Sequence, residues 1–393
     1  VNRSPCLAAA VVVLAACGGS SDKKTPPPPP TPVDVTTFQA ASFVIGQPDL
    51  TTVTPPACTA TSLDIPYGAA AWDGTRLFIS DTNGNRVHAY TGSLAQDNPP
   101  LAFSLGSDTC AGPGSPTSGT ELSWPQSVRT SGAKLLVADS TNNRVLVWNA
   151  IPTSAGVAAN VAVGQTDLTT WTAACGASSL NGPQSAFVTP GGKLIVADQG
   201  NHRVLVWNAI PTASGTAANL VLGQVSKTTC DPPADVNEKT LSAPSDVWSD
   251  GTRLVVVDPG NHRVLVWSTF PTSDGQAADA VLGQATVTAA TSGTTDNAMA
   301  GPVAVASDGT RLFVADQGNN RVLVFGAIPS TGAGAPATVV LGQADFTHGS
   351  ANAGGAVTAK SLSSPSGLAV IDGKLFVTDA LNHRVVVFVP PAP

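Results

Sequence analysis

Little of this chain is charged. Only 11% of its 393 residues are Asp, Glu, Lys or Arg, and the balance is acidic, with a formal net charge of −7. A protein that grips nucleic acid by its phosphates needs a basic face. Six of the eleven arginines are tied up in a repeated phrase, so too few remain to build one. Long hydrophobic runs are missing too. Residues 7–16, "LAAAVVVLAA", have the length of a signal-peptide core and are too short to span a bilayer. There is no G-x-S-x-G elbow after a strand, no H-E-x-x-H pair and no phosphate loop. The stretch "DSTNNR" from Asp139 lacks the acids and terminal Glu of a calcium loop. These gaps leave no metal set and no cofactor to expect.

What abounds is turn punctuation. The chain has 38 Gly and 32 Pro, which weaken helix interiors and mark turns. With 42% hydrophobic residues it has enough apolar surface for a core, which excludes disorder over most of its length. The composition points to an all-β domain.

The N-terminus reads as an export signal. Arg3 supplies a positive charge before the apolar run, which ends in "LAAC", Leu14 to Cys17. This resembles the bacterial lipobox, and the resemblance implies that Cys17 is lipidated and becomes the new N-terminus. An ordinary secretory signal cleaved nearby is the rival reading. The expected organisation is a signal peptide over 1–17, a linker over 18–37 and a domain over 38–393. The Pro run after Cys17 favours an extended spacer, reaching on the order of 40–50 Å at ~3.1 Å per residue.

The domain is written in repeats. A phrase typified by "DQGNHRVLVW", residues 198–207, starts at Asp81, Asp139, Asp198, Asp258, Asp316 and Asp379, spaced 58, 59, 60, 58 and 63 residues apart. An arginine follows each acid by five residues: Arg86, Arg144, Arg203, Arg263, Arg321 and Arg384. An aromatic follows by nine: Tyr90, Trp148, Trp207, Trp267, Phe325 and Phe388. Such a period means stacked or radial units. Three further signals keep step. "GQ" recurs from Gly46 to Gly342, with "LGS" at Gly106 as a worn copy. A proline recurs at Pro66, Pro125, Pro183, Pro244, Pro302 and Pro365. Gly turns recur as "DGTRL" at 73–77, 250–254 and 308–312. The last are hairpin marks.

Each unit therefore predicts four strands. Strand a follows the proline, b runs from the Gly turn to the acid, c starts at the arginine and d ends in "GQ". Val and Leu alternate with period two and without helical spacing. Four-stranded units repeated radially make a β-propeller, and six units make six blades. The domain opens on "SFVIGQ", residues 42–47, a strand d without its a, b and c. It ends on a strand c without its d. The first strand is expected to complete the last blade and close the ring.

The N-H-R-V core with its preceding acid resembles the NHL repeat. Asn201, His202 and Arg203 match it, as do Asn261, His262 and Arg263, and Asn382, His383 and Arg384. Asn143 and Asn320 stand in place of His, and the first unit is the weakest, with Gly84 and Asn85. The resemblance spans about 38–393. It implies a six-bladed NHL-type propeller whose commonest use is binding protein, with carbohydrate as another partner. Some six-bladed relatives are metal-dependent lyases and other six-bladed propellers are lactonases.

The phrase itself reads as structure. The acid and arginine face each other across one turn, where bidentate contacts can fix geometry. The Asn at the tip suits a left-handed backbone, and the aromatic fills space between sheets. His202, His262 and His383 alternate with Asn and lie in the b–c turn, which argues against a metal triad.

Function should sit where the repeat breaks. Cys58, Cys110, Cys175 and Cys230 all lie between strand d of one unit and strand a of the next. An even number in an exported protein implies disulfides, with three pairings possible. The distances to the next repeat proline, 8, 15, 8 and 14, favour Cys58–Cys110 and Cys175–Cys230. The second break is in the inner strand a. Two residues after each proline stand Gly68, Ser127, Ser185, Asp246, Ala304 and Gly367, and two further on come Arg129 and Trp248. Ser127, Arg129, Ser185, Asp246 and Trp248 are the candidate ligand-binding set, in a polar pocket at the channel mouth beside the disulfide loops.

The resulting expectation is a lipoprotein held at the bacterial envelope, periplasmic or at the surface. Its propeller is read as a non-catalytic binding or scaffolding module for an envelope or extracellular protein, or for carbohydrate. The alternative is a metal-dependent lyase or lactonase-like enzyme at the channel mouth, with Asp246 as its acid.

Overall fold

The computed structural model describes residues 1, 31–54, 59, 61–107 and 118–391. Apart from Val1, the expected signal peptide lies outside the described residues, as do Cys17, Cys58 and Cys110.

Six four-stranded antiparallel sheets form the blades of a propeller, one of them extended by the short parallel strand Gly332–Ala333. Blade 3 shows the plan: strand a Pro183–Val188, b Leu194–Asp198, c Arg203–Trp207 and d Leu220–Leu222. The hairpin glycines serve the a–b turns, where Gly74, Gly251 and Gly309 take φ of +95°, +91° and +89°. The aspartate before each turns the chain by accepting two backbone N–H bonds, as Asp250 does from Thr252 and Arg253.

Closure is as the sequence predicts. Phe43–Ile45 pairs antiparallel with Arg384–Phe388, as strand d of blade 6. Residues ahead of position 38 also pack against the ring. Val33 and Val35 are buried between blades 5 and 6 beside Phe313, Leu375 and Phe388. The Val33 N–H donates to Asp308 at 2.9 Å, and Asp34 pairs with Arg311.

The period-two pattern does not divide core from solvent. Both faces of each central strand are covered by neighbouring blades. Leu194, Val196, Leu205 and Trp207 pack against blade 2, while Ile195, Ala197, Val204 and Val206 pack against blade 4. Six such clusters sit between successive blades around the ring. Each buried Val or Leu contributes roughly 1.5–3 kcal/mol before entropy is counted.

The b–c turns and d–a loops lie on one face of the ring, and the a–b hairpins and c–d loops on the other. Among the described residues no helix is long and apolar enough to cross a membrane.

Candidate functional site

The repeated phrase is consumed by the structure. In blade 3 the Arg203 Nε donates to Asp198 Oδ2 at 2.7 Å, with both side chains fully buried. The expected bidentate grip is not what forms. Nη1 reaches the Lys227 carbonyl at 2.6 Å, and Nη2 reaches those of Gly176 and Ser179 at 2.9 and 3.0 Å. The guanidinium thus fastens the d–a loop entering its blade to the one leaving it. Asp198 Oδ1 in turn accepts the Asn181 N–H at 2.7 Å. The same bond recurs from Asp64, Ser123, Ser242, Ala300 and Ser363 to the other five acids. Burial raises the carboxyl pKa of Asp139, Asp198, Asp258, Asp316 and Asp379, and the touching arginine is the main influence pulling each back.

The turn residues divide their labour differently from the expectation. Asn201 is not left-handed. It sits in a short 3₁₀ turn, and its Nδ2 donates to Asp198 Oδ2 at 2.8 Å. The left-handed residue is the next one: Asn85, Asn143, His202, His262, Asn320 and His383, with φ between +50° and +55°. Each points a side-chain acceptor at the following blade. His202 Nδ1 accepts the Ala243 N–H at 3.1 Å, and His262 Nδ1 accepts that of Gly301 at 2.9 Å. Asn143 Oδ1 accepts the Gly182 N–H and Asn320 Oδ1 that of Ser364, both at 2.8 Å. Imidazole Nδ1 and amide Oδ1 occupy equivalent places from Cβ, which explains why His and Asn interchange. The histidines therefore face separate blades, each already spent on a backbone bond. Among the described residues no cluster of three His, Cys, Asp or Glu could hold a metal ion.

The aromatics fill the gaps between blades and also hold loops. Nε1 of Trp148, Trp207 and Trp267 donates to the carbonyls of Val157, Thr216 and Gln276 in the c–d loops, at 2.9, 2.9 and 3.0 Å.

The five inner-strand candidates fall on blades 2 to 4, but on two levels. Ser127, Ser185 and Asp246 are buried latches between neighbouring inner strands. Ser127 Oγ accepts the Ala186 N–H at 3.2 Å, and the Ser185 hydroxyl donates to Asp246 Oδ1 at 2.6 Å. Asp246 Oδ1 also accepts its neighbour Val247's N–H at 2.9 Å, and Oδ2 accepts that of Val305 in blade 5 at 3.0 Å. Burial pushes the Asp246 carboxyl up, opposed first by Arg129. In blades 6 and 1 the same level carries glycine because the strands touch. A Cβ on Gly367 would stand 1.8 Å from the Gly68 carbonyl oxygen. The channel here narrows to about 10 Å³, the room of one water. Asp246 has three of its acceptor directions taken and no second acid beside it among the residues lining this level, so these residues do not fit the metal that lyase or lactonase chemistry would bring.

Arg129 and Trp248 lie one level further on. They line a cavity of about 440 Å³ that opens among the a–b hairpins, on the face opposite the disulfide loops. Four residues past each proline the ring reads Ala70, Arg129, Phe187, Trp248, Ala306 and Ala369. Three large side chains stand on one half and three alanines on the other. Phe187 escaped the sequence reading, though it holds the same register as Arg129 and Trp248. The Arg129 guanidinium lies 5.6 Å from the Phe187 ring centroid and 3.6 Å from Asp246 Oδ1.

Cys175 and Cys230 form the expected disulfide, joining the d–a loops on either side of blade 3.

Comparison with known proteins adds one motif. Residues 362–388 match the NHL repeat family. The last blade carries an NHL repeat. No curated protein matches the chain significantly. Among solved structures it resembles Kuenenia stuttgartiensis hydrazine synthase, at 12% identity over 95% of this chain and 99% of that one, with a TM-score of 0.45. It also resembles streptogramin B lyase, at 12% identity over 86% and 95%, with a TM-score of 0.46. The WD40 domain of Toxoplasma gondii coronin matches at 11% identity over 88% and 72%, with a TM-score of 0.41. So diverse a set assigns no activity to a propeller.

Proposed function

We propose that this chain is an envelope-anchored binding module whose partner, a protein, docks on the face of b–c turns and d–a loops. One observation carries the reading. Among the described residues of the ring, the large apolar side chains Trp124, Trp171, Val225 and Leu381 are exposed on that face, and only Val157 on the other. Trp124 and Trp171 are 47% and 45% exposed. They flank the b–c turn of blade 2: the Thr141 N–H bonds to the Ser123 carbonyl, and Asn143 Nδ2 donates to the Trp171 carbonyl at 2.8 Å. Exposed indoles on a polar surface are the usual anchors of protein interfaces.

The course of the N-terminal segment supports the same orientation. Thr31 lies beside Gly373 and Val33 bonds Asp308, both in a–b hairpins. The chain leaves the ring from the a–b face. A lipid on Cys17 would then tether the ring by the side opposite the tryptophan-bearing face.

Two measurements test this in an exporting bacterial host. Cys17→Ser should move the chain from the membrane to the soluble fraction, and unchanged membrane retention would remove the anchor. A photo-crosslinking residue in place of Trp171 should give a discrete protein adduct, while one at Thr252, in an a–b hairpin, should not. Equal labelling from both, or none from position 171, would end the docking-face reading.

A further inference from the structure

Arg129 stands apart from every other arginine of the described residues. Arg76, Arg253 and Arg311 close a–b hairpins on their own aspartates, and each of the six phrase arginines bonds its own acid. The Arg129 side chain donates no hydrogen bond to the described residues, and its Nε is buried without a partner. Its side chain is 16% exposed and lines the 440 Å³ cavity. The Asp246 carboxylate 3.6 Å away is already engaged with Ser185, Val247 and Val305. A buried guanidinium with unused donors is costly to leave so.

The rest of the wall supplies few other donors. The Thr130 and Ser307 hydroxyls already donate to the Trp72 and Arg311 carbonyls, at 2.7 and 2.6 Å. Trp248 and Phe187 offer aromatic surface, and Ala70, Ala306 and Ala369 leave the space opposite them open. Behind the cavity, at the Ser127–Asp246 level, the inner strands leave a space of only about 10 Å³. Its volume lies within the range of small-molecule sites.

We propose that this cavity binds a small monocarboxylate with a planar apolar body, its carboxylate on the Arg129 guanidinium and its body against Trp248 and Phe187. Arg129 is the cation that lines the site; Asp246 stands behind it, and the one carboxylate on the wall, Asp372, is paired with Lys374. A dianion such as a phosphate monoester would bring a second negative charge that nothing there neutralises. A fork of N–H donors suits a carboxylate in particular. The proposal is independent of the protein-docking face, which lies at the other end of the ring.

The test is calorimetric titration of the full chain with benzoate, phenylacetate and indole-3-acetate, beside uncharged benzamide. At least one carboxylate should bind at one site per chain, and benzamide at least about tenfold more weakly than benzoate. Arg129→Met should weaken the carboxylate about tenfold or more. Ala306→Trp fills the cavity from the far wall and leaves Arg129 untouched. It should abolish binding in a chain that still unfolds cooperatively, and it decides the matter if Arg129→Met fails to fold. Saturable binding that survives Ala306→Trp, equal affinity for benzamide and benzoate, or no binding of any of the three acids at millimolar concentration would overturn the proposal.

Discussion

The exchange of His and Asn at the left-handed turn position makes a quantitative prediction at His202. Two energies meet there. The imidazole Nδ1 accepts the Ala243 N–H at 3.1 Å, joining blade 3 to blade 4. The backbone sits at φ +53°, where a side chain with a Cβ is strained and Asn is better tolerated. His202→Asn restores an acceptor in the same place, as Asn143 and Asn320 do naturally. It should change stability by less than about 0.5 kcal/mol. His202→Gly removes the acceptor and relieves the strain, so its cost is that of a part-buried N–H left unpaired, about 1–2 kcal/mol. His202→Ala loses the acceptor and keeps the strain, which adds about 0.5–1 kcal/mol. The expected order is Asn, then Gly, then Ala. Equilibrium urea unfolding of the three variants measures it, and hydrogen exchange at the Ala243 amide locates it. If His202→Asn costs as much as His202→Ala, or if Ala243 exchanges equally slowly in both, the acceptor is not what holds this turn.

Further outcomes follow from the loops and the channel. The Cys175–Cys230 bridge closes a span of 55 residues, which chain entropy values at about 4 kcal/mol. A Cys175→Ser, Cys230→Ser double variant should lose 2–5 kcal/mol in chemical unfolding, and a loss under about 1 kcal/mol would mean the loops are held without it. At Asp246, burial raises the folded carboxyl pKa above that of the unfolded chain. Its contribution is therefore full below the ordinary carboxylate value of ~4 and is lost as pH rises through the folded value. Asp246→Asn removes that dependence, so the stability of the variant relative to the natural chain should climb with pH from about 4 and then level off. A difference that stays flat or falls over that window would show that the carboxyl is not raised.

The blade plan, the ring closure and one disulfide pair were legible because each has a local signature. A Gly turn, a proline, an acid–arginine spacing and an unpaired strand d at the start of the domain can all be read in one dimension. What the arginines bond to could not be read. Lys227, Gly176 and Ser179 offer backbone carbonyls, which any residue can supply. The left-handed residue was misplaced by one, since Asn201 and His202 both suit a turn and only the bonding to Asp198 and Ala243 separates them. Ser127 and Asp246 were read as pocket residues on their polarity. In a ring whose inner strands touch, a short polar side chain finds the next strand's N–H before it finds solvent. The cavity itself had a signal that went unused. The run Arg129, Phe187, Trp248 against three alanines is visible once the fourth residue after each proline is aligned. Val33 and Val35 gave no pattern at all, since two valines among prolines carry no period.

The central claim is that the sixfold phrase is joinery between blades, and Arg203 tests it most directly. Its side chain is fully buried and bonds one carboxylate and three carbonyls. Arg203→Met keeps much of the volume and leaves Asp198 buried without its counter-charge. The account predicts a loss of about 3–5 kcal/mol in equilibrium unfolding, with much of it recovered in the Asp198→Asn, Arg203→Met double variant. A single variant as stable as the natural chain would contradict the account, because the phrase would then be free for some other purpose.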